Sequence, residues 1–307
     1  MLRVAINGYG RIGRVVHRQF VERFKGNVEV LAVNASSDAA MRRYLLKYDS
    51  LHGRFGKEVE VQGEHLIVEG KQVRVVKERD PSRCPWKELK VDEVVEATGK
   101  FRTREKAQGH LTAGASAVII TAPPKDDTTM IVRGINDHAL EGALPIVSAA
   151  SCTTNCIAPV VKVLDDRLGI ARAAALNIIP STTGAAKAIG RVFPHLVGKM
   201  DGMALRIPVP DVSAAYLALD VRKETTAPQV NAFLRDAAEG ELRGILGVEE
   251  GQLVSADYVS NPHSSTVDLE STNVVGGTMV QILSWYDNEW GYAMRVTEMV
   301  MDVGRLL

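Results

Sequence analysis

The sequence is poor in cysteine and aromatic residues and has no excess of either charge. It contains three cysteines, 5% Phe, Trp and Tyr, and 37 basic against 37 acidic residues. Three thiols are too few for a disulfide framework and indicate a reducing compartment, the cytoplasm. The balanced charge gives no general attraction to nucleic acid or to an anionic membrane, so we expect neither as a partner.

Long apolar runs are also missing. None approaches the ~20 residues needed to cross a bilayer, and the opening MLRVAINGYG enters a strand-like run at once, so we expect no membrane segment and no signal peptide. No histidine cluster accompanies the cysteines, so we expect no metal site. The 307 residues, 46% of them hydrophobic, suffice for about two globular domains.

The two halves of the chain differ in pattern. The first alternates short β-branched runs with amphipathic helical stretches, which predicts a Rossmann-type α/β fold with a doubly wound parallel sheet. Longer strands and fewer helices in the second half predict an α+β domain with a mostly antiparallel sheet. We place the first domain at 1–150 and the second at 151–290. The amphipathic segment at about 291–307 is expected to pack back on the first domain.

A glycine-rich turn follows the first predicted strand. The stretch INGYGRIGR has Gly8, Gly10 and Gly13 in GxGxxG spacing, between an apolar strand and an amphipathic helix. In that context the glycines let the backbone approach a pyrophosphate, which sits at the positive end of the helix. The pattern favours dinucleotide binding over a purely structural turn, and we assign the first domain to it.

The second strand lacks the acidic residue that such sites often have at its end. An Asp or Glu there usually binds the adenosine ribose and repels a 2′-phosphate, but this chain has Asn34, Ala35, Ser36 and Ser37. Asp38 is better interpreted as the cap of the next helix. The absent carboxylate favours NADP over NAD, although NAD binding stays possible and no arginine occupies this turn.

Cys152 lies where a helix is predicted to begin, in AASCTTNCIAPVVKVLDD. Free backbone N–H groups and the helix dipole lower the pKa of a thiol in that position. The neighbouring hydroxyls of Ser151 and Thr153 make a polar surrounding. We therefore interpret Cys152 as a nucleophile, whereas Cys156 and Cys84 fit small buried residues.

Six segments together resemble phosphorylating glyceraldehyde-3-phosphate dehydrogenase, in the order of that family: INGYGRIGR, ERDP, ASCTTNC, STTGAAKA, ALRIPVPDVS and SWYDNEWGY. The VNASS turn is similar to the NADP-preferring bacterial branch. The resemblance makes 151–290 a catalytic domain and implies a cytoplasmic homotetramer. Its substrates would be a phosphorylated aldehyde, foremost glyceraldehyde 3-phosphate, and inorganic phosphate. Erythrose-4-phosphate dehydrogenase shares this chemistry, and a catalytically impaired cofactor-binding protein is the alternative from another class.

The resemblance implies a role for each matching residue. The Cys152 thiolate attacks the aldehyde, hydride leaves to the nicotinamide, and phosphate releases the thioester as an acyl phosphate. Substrate and phosphate ligands would be Ser151, Thr153, Thr183, Gly184 and Arg206. Cofactor contacts would come from Gly8, Gly10, Arg11, Ile12, Gly13, Ala35, Ser36, Arg79, Thr121 and Asn288.

One part of the family pattern is missing. The family carries a histidine base on a strand soon after the nucleophile helix, followed by a long loop, and neither occurs between Ile170 and Ala171. The seven histidines present match no catalytic position. Either the protein lacks the segment, at a typical cost of ~10²–10⁴ in rate, or the printed sequence omits it. We favour omission, because losing a central strand would open the core.

Overall fold

The computed structural model describes residues 1–177, 185–204 and 207–307. They form two compact units. The first contains residues 1–130, 138–149 and 293–307, and the second contains 131–137 and 150–292. The last helix, α8 (Trp290–Gly304), begins in the second unit and continues into the first.

The first unit is built on a sheet of eight described strands. The strands are β1 (Leu2–Asn7), β2 (Val28–Asn34), β3 (Val59–Gln62), β4 (His65–Val68), β5 (Lys71–Val76), β6 (Glu93–Glu96), β7 (Ala117–Ile120) and β8 (Ile146–Ser148). Their order is β3-β4-β5-β2-β1-β6-β7-β8, in which only the pairs β3–β4 and β4–β5 are antiparallel. The helices are α1 (Arg11–Arg23), α2 (Ala39–Lys47), α3 (Trp86–Leu89) and α4 (Arg104–Thr112). The predicted doubly wound α/β fold is confirmed.

The carboxyl ends of the parallel strands bring the loops of the first unit together. β1 pairs with β2 on one side and with β6 on the other, and β2 pairs with β5. The strand order reverses at β1, so the turn after β1 lies at the switch point where α/β sheets bind ligands. Burial of Val15, Val16 and Phe20 holds α1 against the unit's core, as its apolar periodicity predicts.

The second unit has a mixed sheet of six described strands. Its elements are α5 (Cys152–Leu168), β9 (Ile170–Asn177), α6 (Ala185–Val192), β10 (Met200–Ala204), β11 (Ser213–Val221), α7 (Ala227–Glu239), β12 (Leu246–Glu249), β13 (Ser265–Val275) and β14 (Met279–Tyr286). The order is β10-β9-β11-β14-β13-β12, with β10–β9 and β12–β13 parallel and the other pairs antiparallel. The α+β prediction for this half is confirmed.

Strand β9 corrects the expectation that the core would open after α5. Gly169, with φ +72°, ends the helix, and the Ile170 N–H donates to Asp165 Oδ1 at 2.8 Å. The chain then enters the sheet directly between β10 and β11. The alanine-rich run 171–175 favours a helix by local propensity, but sheet pairing on both sides overrides that preference. The sheet is therefore continuous here without a further strand.

Candidate functional site

Glycine occupies the three positions of the turn after β1 for different structural reasons. Gly8 has φ +99°, and a Cβ there would lie 2.6 Å from the Thr98 nitrogen. A Cβ on Gly13 would lie 2.2 Å from the Gly8 carbonyl oxygen. A Cβ on Gly10, in contrast, would meet no atom of the described residues within 4 Å, its two chain neighbours aside. Packing explains the first two glycines, whereas the space beside Gly10 is a cradle that a ligand can fill.

Gly10 faces a cavity of about 790 Å³ that lies entirely within the first unit. Five of the predicted cofactor residues line it: Gly8, Gly10, Ala35, Ser36 and Arg79. The amide of Ala35 donates to the Val76 carbonyl at 2.8 Å, which holds the loops after β2 and β5 side by side. The volume and the cradle fit part of a dinucleotide.

The other predicted cofactor residues do not line this cavity: Arg11, Ile12, Gly13, Thr121 and Asn288. Arg11 binds Asp49 through two hydrogen bonds of 2.6 and 3.1 Å. Burial alone would raise the pKa of Asp49, but backbone N–H groups and Arg11 outweigh it and lower that pKa to about 2. Thr121 donates its hydroxyl to the Glu96 carbonyl at 3.1 Å. In the second unit, Asn288 accepts a hydrogen bond from Ser213 at 2.9 Å.

The cavity walls are cationic. Basic side chains of Arg14, Arg42, Lys77, Arg79 and Lys100 line the cavity, and Glu78 is the one acidic residue among the described lining residues. The Glu78 carboxylate accepts N–H bonds from Arg79 and Asp80, at 2.7 and 3.0 Å. Sequence patterns missed Arg42, Lys77 and Lys100, because none lies in the motif or in the turn after β2, and they gave no role to Arg14, the last residue of INGYGRIGR. Such walls attract phosphate groups.

Asp38 caps α2, as the sequence predicts. Its carboxylate accepts the Met41 N–H at 2.9 Å. The first turn of α2 therefore already has an anionic partner, and a phosphate near this turn needs cations from elsewhere.

A buried polar network lies under the turn, and no sequence motif indicated it. The Glu96 carboxylate accepts hydrogen bonds from Asn7 at 2.5 Å and from both the backbone and the hydroxyl of Thr98. Nε2 of His110 lies 3.1 Å from the same carboxylate, and Trp86 donates to His110 Nδ1 at 3.0 Å. Because Trp86 is only a donor, His110 carries its proton on Nε2 and donates to Glu96. The network joins the ends of β1 and β6.

In the second unit, Cys152 is the first residue of α5. Ser151 is the N-cap and accepts the Thr154 N–H at 3.0 Å. Thr153 Oγ1 lies 2.9 Å from the Tyr286 hydroxyl. The structure thus brings Cys152, Ser151 and Thr153 together at the start of a helix. The sequence predicts this helix start at Cys152. The predicted ligands Thr183, Gly184 and Arg206 lie outside the described residues.

The expected low pKa of Cys152 is wrong. Burial raises the pKa of the thiol above its usual value of 9.0. Hydrogen bonds from Thr153 and from the helix-start amides lower it, and the negative charge of Asp211 raises it again. Desolvation of the thiolate outweighs these hydrogen bonds, a balance that the sequence pattern could not show. Cys156, one turn further, has its pKa raised by burial to about 12 and contacts Ser265.

The histidines of the second unit do not supply a base to Cys152. His195 binds Asp165 at 2.5 Å, near the far end of α5 and roughly 20 Å from Cys152 at 1.5 Å per residue. His263 contacts Asn261 at 3.0 Å. Within the described residues, no histidine is among the groups that shift the pKa of Cys152.

A glycine turn at the switch point of a doubly wound sheet, opening on a cationic cavity, defines the class of nucleotide-binding α/β proteins. Family comparisons narrow the class. The NAD binding domain of glyceraldehyde 3-phosphate dehydrogenase matches residues 2–104, and the C-terminal domain of the same enzyme matches residues 171–288. The chain belongs to the glyceraldehyde-3-phosphate dehydrogenase family.

Its relatives cover almost the whole chain. Glyceraldehyde-3-phosphate dehydrogenase 2 of Bacillus subtilis is 45% identical over 330 residues, covering 98% of this chain and 96% of the relative. The enzyme of Geobacillus stearothermophilus is 48% identical over 326 residues, covering 97% of each. The chloroplastic A enzyme of Chlamydomonas reinhardtii is 45% identical, covering 97% of this chain and 87% of the relative. Within the described residues, no helix has the length and apolar character required to span a membrane.

Proposed function

We propose that this protein catalyses the phosphorylating, NAD(P)-dependent oxidation of glyceraldehyde 3-phosphate to 1,3-bisphosphoglycerate, or the reverse reaction, through a cysteine thioester. One observation carries the proposal: the family's nucleophile motif places Cys152 half-buried at the start of α5, in a chain nearly half identical to enzymes of that name. The cationic cavity of the first unit supports the nucleotide requirement.

The residues of this chain supply the covalent chemistry. Sγ of Cys152 adds to the aldehyde carbon, and the backbone N–H groups at the start of α5 stabilise the developing oxyanion. When bound, the nicotinamide nucleotide accepts the hydride that leaves this carbon. A phosphate oxygen then attacks the thioester carbonyl, and the Cys152 thiolate leaves.

Anion binding rests on hydroxyls beside the nucleophile. Ser151 and Thr153 are proposed ligands of the substrate phosphate or the attacking phosphate, together with Thr183, Gly184 and Arg206. Both hydroxyls already hydrogen-bond within the protein: Ser151 accepts the Thr154 N–H and lies 2.7 Å from Thr154 Oγ1, and Thr153 bonds to the Tyr286 hydroxyl and to the Cys152 thiol. A hydroxyl offers one donor and two acceptor sites, so two bonds within the protein do not exhaust its capacity to bind an anion.

NADP is the proposed nucleotide, with NAD as the weaker one. Gly8, Gly10, Ala35, Ser36 and Arg79 would hold it in the cavity, with Arg11, Ile12, Gly13, Thr121 and Asn288 as further contacts by family resemblance. The cradle beside Gly10 supports this assignment, and so does the absence of a carboxylate at Ala35. Tighter binding of NAD than of NADP in equilibrium titrations would contradict the preference.

We further infer that the family's histidine strand and loop are missing at the junction of Ile170 and Ala171. Since 98% of 307 residues is about 301, the 330-residue alignment is about 29 positions longer than the aligned part of this chain. The match to the C-terminal domain also starts at residue 171. A protein mass of 33.3 kDa means a true deletion, whereas a larger mass means that the printed sequence omits the segment.

The function is tested by NADP reduction with glyceraldehyde 3-phosphate, with and without inorganic phosphate. We expect phosphate-dependent turnover, which exceeds turnover with erythrose 4-phosphate. A true deletion is expected to slow it by ~10²–10⁴ through loss of the general base. A protein of 33.3 kDa without turnover would overturn the enzyme proposal and favour a cofactor-binding protein.

Two further properties follow as proposals. A cytoplasmic location is supported by the three free cysteines, Cys84, Cys152 and Cys156. A homotetramer is supported by family resemblance alone, and light scattering of the purified protein tests it.

A further inference from the structure

Arg42 lies one turn into α2, yet its side chain reaches the cavity of the first unit. It lines that cavity with Ala35 and Ser36, and it is 9% exposed. Its Nη1 donates to the Tyr9 carbonyl, in the glycine turn, at 3.2 Å. The residue therefore bridges the turn after β1 and the start of α2.

This buried cation has no anionic partner in the part of the chain that the structure describes. Among residues 1–177, 185–204 and 207–307, Arg42 Nε is buried without a hydrogen-bond acceptor, and no carboxylate forms an ion pair with the guanidinium. Asp38, the acidic group that acts on it electrostatically, has its carboxylate engaged in the cap of α2. Glu78 binds backbone N–H groups across the cavity. An unpaired buried charge is costly, so the site fits an anion supplied by a ligand.

The position of Arg42 indicates which ligand anion its guanidinium binds. The end of β2 is where Rossmann-type proteins contact the adenosine ribose, and an arginine nearby accommodates a 2′-phosphate. Ala35 lines the cavity here without a carboxylate to repel that phosphate. We propose that Arg42 binds the 2′-phosphate of NADP and thereby determines the preference for NADP over NAD. This inference rests on the proposed nucleotide binding.

A purely structural role predicts a different result. If Arg42 only holds the Tyr9 carbonyl, its loss disturbs the glycine turn and weakens NAD and NADP binding equally. If it binds the 2′-phosphate, only NADP binding falls. The ratio of the two dissociation constants therefore separates the roles.

The experiment measures the Kd of NADP and NAD by isothermal titration calorimetry with the full-length protein. The variants are Arg42→Leu and Arg42→Gln, the second of which keeps a donor for the Tyr9 carbonyl. Arg43→Leu is the matched control, because Arg43 is exposed and donates to the Val59 carbonyl at 3.0 Å. One charge-assisted contact corresponds to roughly a 10- to 100-fold change in Kd. We expect that increase for NADP in both Arg42 variants, with NAD changed less than about twofold and Arg43→Leu like the wild type.

Equal losses for both nucleotides, or an unchanged ratio in Arg42→Gln, would overturn the role of Arg42. The wild type could bind NAD more tightly than NADP, while the Kd ratio still shifts against NADP in the variants. That result would support the contact of Arg42 with the 2′-phosphate and contradict the preference for NADP. Absence of glyceraldehyde 3-phosphate turnover would contradict the proposed reaction. The ratio of the two dissociation constants would still decide the role of Arg42. A wild type that binds neither nucleotide would defeat this inference.

Discussion

The two units differ in how they provide for their buried functional groups. In the first, the Glu96 carboxylate is satisfied by Asn7, Thr98 and His110, and the network supports a cavity built from that unit alone. In the second, Cys152 starts a well-capped helix, but burial raises its pKa and no described histidine acts on it. The cavity of the first unit is lined by described residues of that unit alone. Among the described residues of the second unit, the nucleophile has no histidine that would activate it.

Replacing the nucleophile should produce the largest effect. Cys152→Ser is expected to lower kcat for glyceraldehyde 3-phosphate by at least about 10⁴-fold, in line with losses on removing other nucleophiles. Nucleotide affinity should stay unchanged, because the cavity belongs to the first unit. Steady-state kinetics and calorimetry check both values. Cys156→Ser is the control, and a similar loss there would show that Cys152 is wrongly assigned.

Substitutions of two buried glutamates of β6, Glu93 and Glu96, measure how buried carboxyl groups affect the stability of the first unit. Burial, with a smaller effect from Asp92, raises the pKa of Glu93 from 4.5 to about 9, and its oxygens have no hydrogen-bond partner among the described residues. Glu93→Leu should raise the free energy of unfolding by about 3 kcal/mol at pH 7. Glu96→Leu should lower it by about 3–5 kcal/mol, because it strands the donors around it.

Urea unfolding at several pH values checks the sign of the Glu93 effect. A folded-state pKa above the unfolded one means that the proton is held more tightly in the folded protein. The destabilisation by Glu93 is therefore small below about pH 4.5 and grows as the pH rises towards about 9. Equal stability of Glu93→Leu and wild type at neutral pH would contradict the assignment.

The pH dependence of Cys152 alkylation tests whether the second unit activates its nucleophile. The thiolate reacts, so with a raised pKa the iodoacetamide rate should climb about tenfold per pH unit from about pH 6 to pH 8. The total rise is about 100-fold. Peptide mapping separates Cys152 from the buried Cys84 and Cys156. A plateau near neutral pH would reveal a base beside the thiol and fit a protein that contains the histidine segment.

The glycine turn gives the smallest expected effect. Gly10→Ala should weaken nucleotide binding about tenfold, while the unfolding free energy changes by less than about 0.5 kcal/mol. Its added methyl group enters the cradle and touches no described residue beyond its chain neighbours. Gly13→Ala is the contrasting variant, since its Cβ would clash with the Gly8 carbonyl and destabilise the unit. Unchanged affinity in Gly10→Ala would mean that no ligand occupies the cradle.

Elements governed by neighbouring residues were predictable. Asp38 caps α2 and Cys152 begins α5 because capping and helix periodicity depend on residues only three or four positions apart. β9 was not predictable in this way, since an alanine-rich run becomes a strand only when partners on both sides accept its hydrogen bonds. Arg42 was missed for a similar reason. It lies on α2, and only the folded chain brings its side chain to the glycine turn after β1, at Tyr9.

The sequence by itself determined the fold class, the glycine turn, the helix start at Cys152 and the family, because these depend on local spacing and on motifs in a fixed order. Only the tertiary structure decided the charge of the cavity walls, the Glu96 network and the direction of the Cys152 pKa shift. Burial and electrostatics sum over residues that are distant in the chain, such as Asp211 for Cys152 and Arg42 for the turn at Tyr9. Their balance exists only once the chain has folded.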